Sequence, residues 1–131
     1  MKFTPPNTKD MLISIVDDEE CVRESLSSLI RSAGYKAREY ASAEDFLVLG
    51  RRDETGCLIL DLSMPGMNGL ELQRRLAETG WLVPIVFLSA KASTEEKRRA
   101  LQAGATVFLD KPVDENALLH AVRTALDRRN H

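Results

Sequence analysis

The sequence predicts an α/β fold built from five β-strand–α-helix units, with helices on both faces of a doubly wound parallel sheet. Two observations lead to this prediction. Short apolar runs alternate with segments of helical periodicity, and most of the apolar runs end at an acidic or hydroxyl residue. Apolar strands that alternate with helices are typical of a parallel sheet buried on both sides. Half of an eight-unit barrel is the alternative, and it would leave open edges.

The strands are predicted from runs of apolar and β-branched residues. The second run, KAREY, is polar, and this is typical of a strand at the edge of a sheet. The other runs are largely apolar, as expected for strands covered on both faces. The predicted strands are residues 12–16, 36–40, 57–60, 83–88 and 106–109.

A helix is predicted after each strand, and capping residues mark the helix ends. Short polar side chains stand where several of the helices begin, and two of them have a glutamate three residues later, the pattern of a capping box. Glycines stand where three helices end. The predicted N-caps are Ser42, Asn68, Ser93 and Asp114, and the predicted terminating glycines are Gly34, Gly80 and Gly104.

One domain, residues 11–127, accounts for nearly all of the 131 residues. We expect residues 1–10 to form a flexible N-terminal tail and residues 128–131 a C-terminal tail. The longest mainly apolar run, residues 81–90, contains a proline and is too short to span a bilayer. Because the N-terminus also lacks the apolar segment of a signal peptide, we expect a cytoplasmic protein with no membrane partner.

Charge and cysteine content exclude several other classes. The net charge of −2 argues against a dedicated nucleic-acid-binding domain, which would be clearly basic. The two cysteines, Cys21 and Cys57, are too few for a cysteine-based metal site. Without a secretion signal a disulfide is not expected, and we interpret both as buried or half-buried free thiols.

Charged and polar side chains follow four of the predicted strands. They are Asp17, Asp18, Asp61, Ser89 and Lys111. The carboxyl ends of parallel strands form the ligand-binding edge of an open α/β sheet, so we expect these side chains to converge. The three carboxylates would repel one another without a cation, and Mg²⁺ or Mn²⁺ favours such oxygen ligands. An ammonium and a hydroxyl beside them suit a phosphoryl group on a carboxylate.

Each of these residues also has a structural interpretation when it is taken alone. Asp17 and Asp18 can cap the first helix, Asp61 can belong to a turn, and the other two are ordinary loop residues. Their coincidence at successive strand ends favours a functional site.

Four segments of the chain match a known pattern: IVDD at 15–18, LDLSMPGMNG at 60–69, LSA at 88–90 and LDKP at 109–112. With these segments the chain resembles the receiver domains of two-component response regulators over about residues 11–127. The stretches VRESLSSLIRSAGY and ASAEDFL are most similar to the FixJ-like subgroup, of LuxR/NarL type, whose receivers usually precede a helix-turn-helix domain. The resemblance implies a flavodoxin-like sheet with strand order 2-1-3-4-5.

The resemblance also implies a role for each residue at the strand ends. Asp61 would be the phospho-acceptor and would ligate Mg²⁺ together with Asp18 and the backbone carbonyl of Ser63. Asp17 would act mainly through a metal-bound water. Lys111 would pair with Asp61 and then with the phosphoryl group.

Further roles follow for the segments after the fourth and fifth strands. Ser89 would donate a hydrogen bond to a phosphoryl oxygen after activation, and the peptide between Lys111 and Pro112 would be cis. Phe108 stands where the family has its switch aromatic, although a residue of the strand-five core would look the same. Ser63 and Lys91 would flank the phosphoryl group and affect its lifetime.

The resemblance implies a phosphorylation-switched receiver that takes its phosphoryl group from a histidine kinase. It would catalyse only its own phosphotransfer and dephosphorylation, so it is not an enzyme with a separate substrate. We expect a phosphorylation-dependent homodimer through helix 4 and strand 5, although a solvated helix surface would have the same charges. That face is formed by Lys97, Arg98, Arg99 and Asp110.

Two contexts for the receiver stay open. It could be the regulatory part of a transcription factor that contacts DNA only through an output domain absent from this chain. It could instead be a stand-alone receiver that acts as a phosphate shuttle or sink, or as a protein-binding switch.

Rival classes fit the motifs less well. A flavodoxin-like redox carrier needs a phosphate-cradling loop after the first strand, where this chain has Asp-Asp-Glu-Glu. A haloacid-dehalogenase-type phosphatase needs a second aspartate two residues after its nucleophile, where this chain has Ser63.

Overall fold

The structure is a computed structural model that describes residues 11–129. Residues 1–10, the predicted N-terminal tail, and residues 130–131 lie outside the described part. Strands and helices alternate along the chain. They are β1 (Leu12–Val16), α1 (Glu20–Ser32), β2 (Lys36–Tyr40), α2 (Ala43–Leu49), β3 (Thr55–Asp61), α3 (Gly69–Glu78), β4 (Ile85–Ser89), α4 (Thr94–Gln102), β5 (Val107–Asp110) and α5 (Glu115–Arg129). The last helix extends two residues into the stretch predicted as a C-terminal tail.

The strands form one parallel sheet in the order β2-β1-β3-β4-β5, so the predicted fold class is confirmed. The polar strand β2 lies at one edge of the sheet, and β5 lies at the other. Because successive side chains of a strand point to opposite faces, each inner strand contributes to two cores. Cys57 and Ile59 of β3 pack with α1 and α5, whereas Leu58 and Leu60 pack with α2, α3 and α4.

The strand ends differ slightly from those predicted, and proline accounts for one difference. β4 begins at Ile85 rather than at residue 83, because Pro84 has no backbone N–H to donate to a neighbouring strand. The carbonyl of Pro84 still accepts a hydrogen bond from Leu58 N at 2.9 Å. β3 is longer than predicted and includes Thr55, whose side chain is buried.

The predicted N-caps are all confirmed by side-chain hydrogen bonds. Ser42, Asn68 and Asp114 accept from backbone N–H groups three residues later, at distances of 2.9–3.0 Å. Ser93 forms a complete capping box, in which its hydroxyl accepts from Glu96 N and Glu96 accepts from Ser93 N. These bonds satisfy backbone donors that the first helical turn leaves free.

The two cysteines are free but lie in different environments. Cys57 is fully buried in β3, and burial raises the pKa of its thiol to about 12. Cys21 is exposed, so the expectation that both thiols would be at least half-buried was wrong for this residue. The helical period explains this, because the inward face of α1 passes through Leu26 and Ile30 and leaves Cys21 on the outer side.

An aromatic group packs beneath α2. The ring of Phe46 stacks on Trp81 with a centroid distance of 5.1 Å and meets Tyr40 edge-on at 5.2 Å. The Arg52 guanidinium lies 5.8 Å from the Trp81 ring centroid, within the range of a cation–π contact. These contacts anchor a helix of only seven residues.

No helix within residues 11–129 has the length and the apolar character needed to cross a bilayer.

Candidate functional site

The carboxyl edge of the sheet brings together three of the predicted side chains. Asp17 follows β1, Asp61 ends β3, and Lys111 follows β5. Lys111 is positioned by its own backbone, whose N–H donates to the carbonyl of Ser89 at the end of β4. The parallel register thus delivers a charged group from each of three strands to one place.

Lys111 forms the centre of this cluster. Its Nζ lies 2.9 Å from Asp17 Oδ2 and 3.5 Å from Asp61 Oδ2. The Lys111 side chain is 15% exposed, whereas the carboxylates of Asp17 and Asp61 are 1% and 6% exposed. The expected contact with Asp61 is present, but the shorter bond goes to Asp17. Lys111 therefore places one positive charge between two buried carboxylates.

The electrostatics of the cluster are unbalanced toward negative charge. Burial and the charge of Asp17 raise the pKa of Asp61 and the Lys111 ammonium lowers it, and together these effects bring the pKa to about 6. The pKa of Lys111 is also raised, because hydrogen bonding to Asp17 and the charges of both carboxylates outweigh the effect of its burial. An additional cation at this edge would lower the energy of the ionised carboxylates.

The loop after β1 supplies a group of acidic oxygens that fits a divalent cation. Carboxylate oxygens of Asp17, Asp18 and Glu19 all lie within 4.8 Å of one another, and Asp18 and Glu19 are exposed. Mg²⁺ favours such oxygen ligands and keeps several waters, so a partly exposed set of carboxylates suits it. Glu19 was not among the predicted ligands, because its position suggested only a role in the first helical turn.

Two hydrogen bonds shape this acidic loop. Glu19 N donates to Asp17 Oδ1 at 2.9 Å, so the loop curls around the Asp17 carboxylate. Arg23 of α1 donates from Nη1 to the backbone carbonyl of Asp17 at 2.9 Å. Arg23 was not among the predicted site residues, since nothing in its helical spacing distinguishes a side chain that reaches back to the preceding loop.

The loop from β3 to α3 is fixed at both ends. Ser63 N lies 3.4 Å from Asp61 Oδ1, and Gly69 N donates to the carbonyl of Leu62 at 2.9 Å. A Cβ atom at Gly69 would lie 2.8 Å from the carbonyl oxygen of Asp61 and 2.9 Å from the Phe87 ring. Because backbone cannot yield at such distances, only glycine lets α3 begin this close to Asp61.

A side chain of α2 holds the middle of the same loop. Glu44 Oε2 accepts a hydrogen bond from Met67 N at 3.2 Å. Gly66, with a φ of +75°, lies directly below this carboxylate, and a Cβ atom there would stand 2.7 Å from Glu44 Oε2. Glu44 and Gly66 were not predicted as site residues, because the contact depends on how α2 is placed over the loop.

Ser89 lies at the edge with its side chain buried. Its Oγ accepts a hydrogen bond from Lys91 N at 3.2 Å, which fixes the first turn of the loop after β4. The structure thus places Ser89 at the end of β4, as predicted, while its role toward a phosphoryl group stays a prediction. The peptide between Lys111 and Pro112 is cis, as the resemblance implied.

Phe108 connects this edge to the face formed by α4 and β5. Its half-buried ring stacks on Phe87 of the neighbouring strand, with centroids 5.7 Å apart and an interplanar angle of 18°. Lys97 of α4 lies over Phe108, with Nζ 5.8 Å from the ring centroid, and pairs with Asp110 at 3.2 Å. Of the four charges predicted for this face, Lys97 and Asp110 therefore lie around the candidate switch residue. Arg98 instead binds Glu95 and Gln102 of its own helix, and Arg99 lines a groove shared with α3.

Comparison with known proteins agrees with this geometry. The family model described as the response regulator receiver domain matches residues 13–123. The response regulator protein TmoT of Ectopseudomonas mendocina is 46% identical over 120 residues, which cover 92% of this chain and 54% of that protein. The transcriptional regulatory protein FixJ of Azorhizobium caulinodans is 35% identical over 116 residues, covering 88% of this chain and 55% of FixJ.

A solved structure shows the same similarity in three dimensions. The response regulator StyR superimposes with a TM-score of 0.87 at 41% identity, over 92% of this chain and 61% of the StyR chain. The chain thus spans about half the length of the curated relatives that it matches.

Proposed function

This chain belongs to the family of response regulator receiver domains, and we propose that it accepts a phosphoryl group from a histidine kinase onto Asp61. The observation that carries the proposal is the Asp61 carboxylate, buried at the end of β3 with the Lys111 ammonium 3.5 Å away. In the transfer, Asp61 Oδ forms a bond to phosphorus as the phosphorus–nitrogen bond of the phosphohistidine breaks. The electron pair of that bond stays on the histidine nitrogen, which takes up a proton.

The residues that would hold Mg²⁺ are Asp17, Asp18 and Asp61, together with the backbone carbonyl of Ser63. When bound, the ion supplies positive charge to the phosphoryl oxygens. Asp17 holds Lys111 at the edge of the sheet, with the ammonium 3.5 Å from Asp61 Oδ2. The Asp18 carboxylate is exposed, so it would bind the ion with little rearrangement of the protein. In this proposal the chain catalyses only its own phosphorylation and dephosphorylation.

Phosphorylation replaces the single negative charge of the Asp61 carboxylate by a phosphoryl group that carries nearly two negative charges, beside Lys111 and Ser89. Lys111 needs to move its Nζ only slightly to leave Asp17 and contact a phosphoryl oxygen on Asp61. Ser89 would exchange its bond from Lys91 N for one that it donates to the phosphoryl group, and the loop after β4 would follow. Phe108 of β5 lies next to the helix that follows this loop, with its ring between Phe87 and Lys97. This connects the charge at Asp61 with the α4 and β5 face.

We further propose that the changed α4 and β5 face forms a homodimer and that this controls an output domain in the same protein. The relatives TmoT and FixJ, both about twice the length covered here, support an output region beyond this chain. The description of FixJ as a transcriptional regulatory protein supports an output on DNA. A cytoplasmic location agrees with a kinase partner of this kind.

The proposal is tested by incubating the chain with acetyl phosphate and Mg²⁺ and measuring its intact mass. We expect one added phosphoryl group, lost when Asp61 is replaced by asparagine and absent in EDTA. Asp53→Asn, an exposed residue in the turn before β3, is the matched control and should be phosphorylated normally. A wild-type chain that no small phosphodonor and no kinase modifies would contradict the proposal.

Dimerisation is tested separately by sedimentation with and without beryllofluoride, a mimic of the phosphoryl group. We expect association only with the mimic. Lys97→Glu should weaken this association, because it places a carboxylate beside Asp110, whereas Arg75→Glu on the exposed side of α3 should not. An unchanged sedimentation coefficient with the mimic bound would rule out the dimer.

A further inference from the structure

Helix α4 has a weak attachment to the rest of the protein. Of its nine residues only Ala100 is buried, five of the others are charged, and most of them are exposed. Ala100 lies in the core between the sheet and the helices on that face, close to Leu72 and Leu76 of α3. A helix held at one buried residue has little apolar surface to resist a displacement.

A buried glutamine of α3 reaches this same residue. Gln73 is only 6% exposed, and its Nε2 donates a hydrogen bond to the Ala100 carbonyl at 3.0 Å. That carbonyl is one of the last in α4 and also accepts from Ala105 N at 3.1 Å. Gln73 therefore joins α3 to the turn that ends α4.

The surroundings of this bond are open on both sides. One groove of about 490 Å³ runs from Gln73 toward Trp81 and Gly104, and another of about 690 Å³ runs toward Arg74 and Arg99. Gln73 lines both grooves, so its side chain forms a bridge between the two helices where their packing is sparse.

We propose that Gln73 is a positioning residue that holds α4 in the place seen here and opposes its displacement when Asp61 is phosphorylated. The inference rests on the proposed function, since it assigns a restraint to the helix that the phosphorylated site would move. If α4 moves away, the Gln73 amide loses the Ala100 carbonyl as its acceptor. The hydrogen bond is present only in the undisplaced state, so it favours that state.

The test compares two glutamine-to-methionine substitutions. Gln73→Met keeps a side chain of similar length but removes the donor. Gln102→Met is the matched control, because Gln102 lies exposed on α4 and only accepts a bond from Arg98 of the same helix. Thermal unfolding and circular dichroism establish that each variant is folded, and Gln73→Leu serves as a second variant without the donor.

Two measurements then distinguish positioning from general stability. In the unphosphorylated protein, hydrogen exchange in α4 should become about fivefold faster in Gln73→Met, with exchange in β1 and β3 unchanged. In a beryllofluoride titration at saturating Mg²⁺, Gln73→Met should bind the mimic about fivefold more tightly, because less free energy is needed to displace α4. A purely structural loss would weaken binding instead.

Either of two results would overturn the inference. One is α4 exchange equal to that of the Gln102→Met control, and the other is an unchanged or weaker affinity for beryllofluoride. Failure of the proposed function is recognised separately, since the wild type itself would then not bind the mimic. The hydrogen-exchange comparison still decides whether Gln73 holds α4 in that case.

Discussion

Lys111 donates a 2.9 Å hydrogen bond to Asp17, the buried aspartate that follows β1. Its distance to Asp61 Oδ2 is 3.5 Å, so the residue expected to serve the phospho-acceptor is held chiefly by the neighbouring carboxylate. Asp17 thereby keeps a positive charge next to Asp61. The arrangement is preorganised for new negative charge on Asp61.

Replacing Lys111 by methionine should have opposite effects on phosphorylation and on Mg²⁺ binding. Phosphorylation by acetyl phosphate should slow by roughly 10²-fold, because the fixed charge that meets the phosphoryl oxygens is lost. The Mg²⁺ affinity should rise, because one positive charge beside Asp17 and Asp61 is removed. Intact-mass kinetics and Mg²⁺ titration measure the two effects. Lys36→Met on the exposed edge strand should change neither, and an unfolded variant would lose both.

Asp61→Asn should stabilise the metal-free protein in a defined pH range. Folding raises the pKa of Asp61 from 3.8 to about 6, so the wild type loses stability as the pH rises from about 4 to about 6. The variant avoids this loss and should be more stable by on the order of 2 kcal/mol at pH 7.5, but not below pH 4.

Urea unfolding in EDTA at several pH values measures the difference. Asp53→Asn, in an exposed turn, is the control, and its difference in stability from the wild type should not change over this pH range. A stability gain for Asp61→Asn that is constant from pH 4 to 7.5 would show that the Asp61 carboxylate is not responsible.

Glu19→Gln should weaken Mg²⁺ binding several-fold while leaving the fold unchanged. The Glu19 carboxylate lies within 4.8 Å of those of Asp17 and Asp18, so it adds negative charge to the candidate metal site. The rise in melting temperature with added Mg²⁺ measures this affinity by mass action. Glu20→Gln, one residue further and exposed, is the matched control. Equal Mg²⁺ responses of the two variants would exclude Glu19 from the site.

Gly66→Ala should destabilise the protein by about 1–2 kcal/mol, because alanine is strained at a φ of +75°. The new methyl group also displaces the Glu44 carboxylate and breaks its bond to Met67 N. Glu44→Ala alone should therefore be destabilising by about 1 kcal/mol, but it should have little further effect in the Gly66→Ala background. Denaturant unfolding of the four proteins in this cycle tests the coupling, and simple additivity would contradict the contact.

The elements of the fold could be predicted because their signals are local. Ser42, Asn68, Ser93 and Asp114 each cap a helix through a bond to a backbone N–H three residues away, and such a bond depends only on short-range spacing. Asp17 and Asp61 could be placed together for a related reason, since the ends of parallel strands share one edge of a sheet.

The contacts that tune the site could not be predicted in this way. The preference of Lys111 for Asp17, the bond from Gln73 to Ala100, and the contact of Glu44 with Met67 join positions far apart in sequence. Each depends on a helix or loop being placed to within about an ångström, and periodicity does not determine such placements. Periodicity also failed within a single helix. The thiol of Cys21 was predicted to be buried or half-buried, and the structure shows that it is exposed.

The aromatic stack beneath α2 has a spectroscopic consequence. Trp81 is the only tryptophan in the sequence, and it precedes β4, at the opposite end of that strand from Ser89. The intrinsic fluorescence of this protein therefore reports on Phe46 and Arg52 around the indole, not on Asp61 directly. Any change of emission that accompanies phosphorylation therefore measures a rearrangement at the end of β4 opposite to Ser89, roughly 15 Å away.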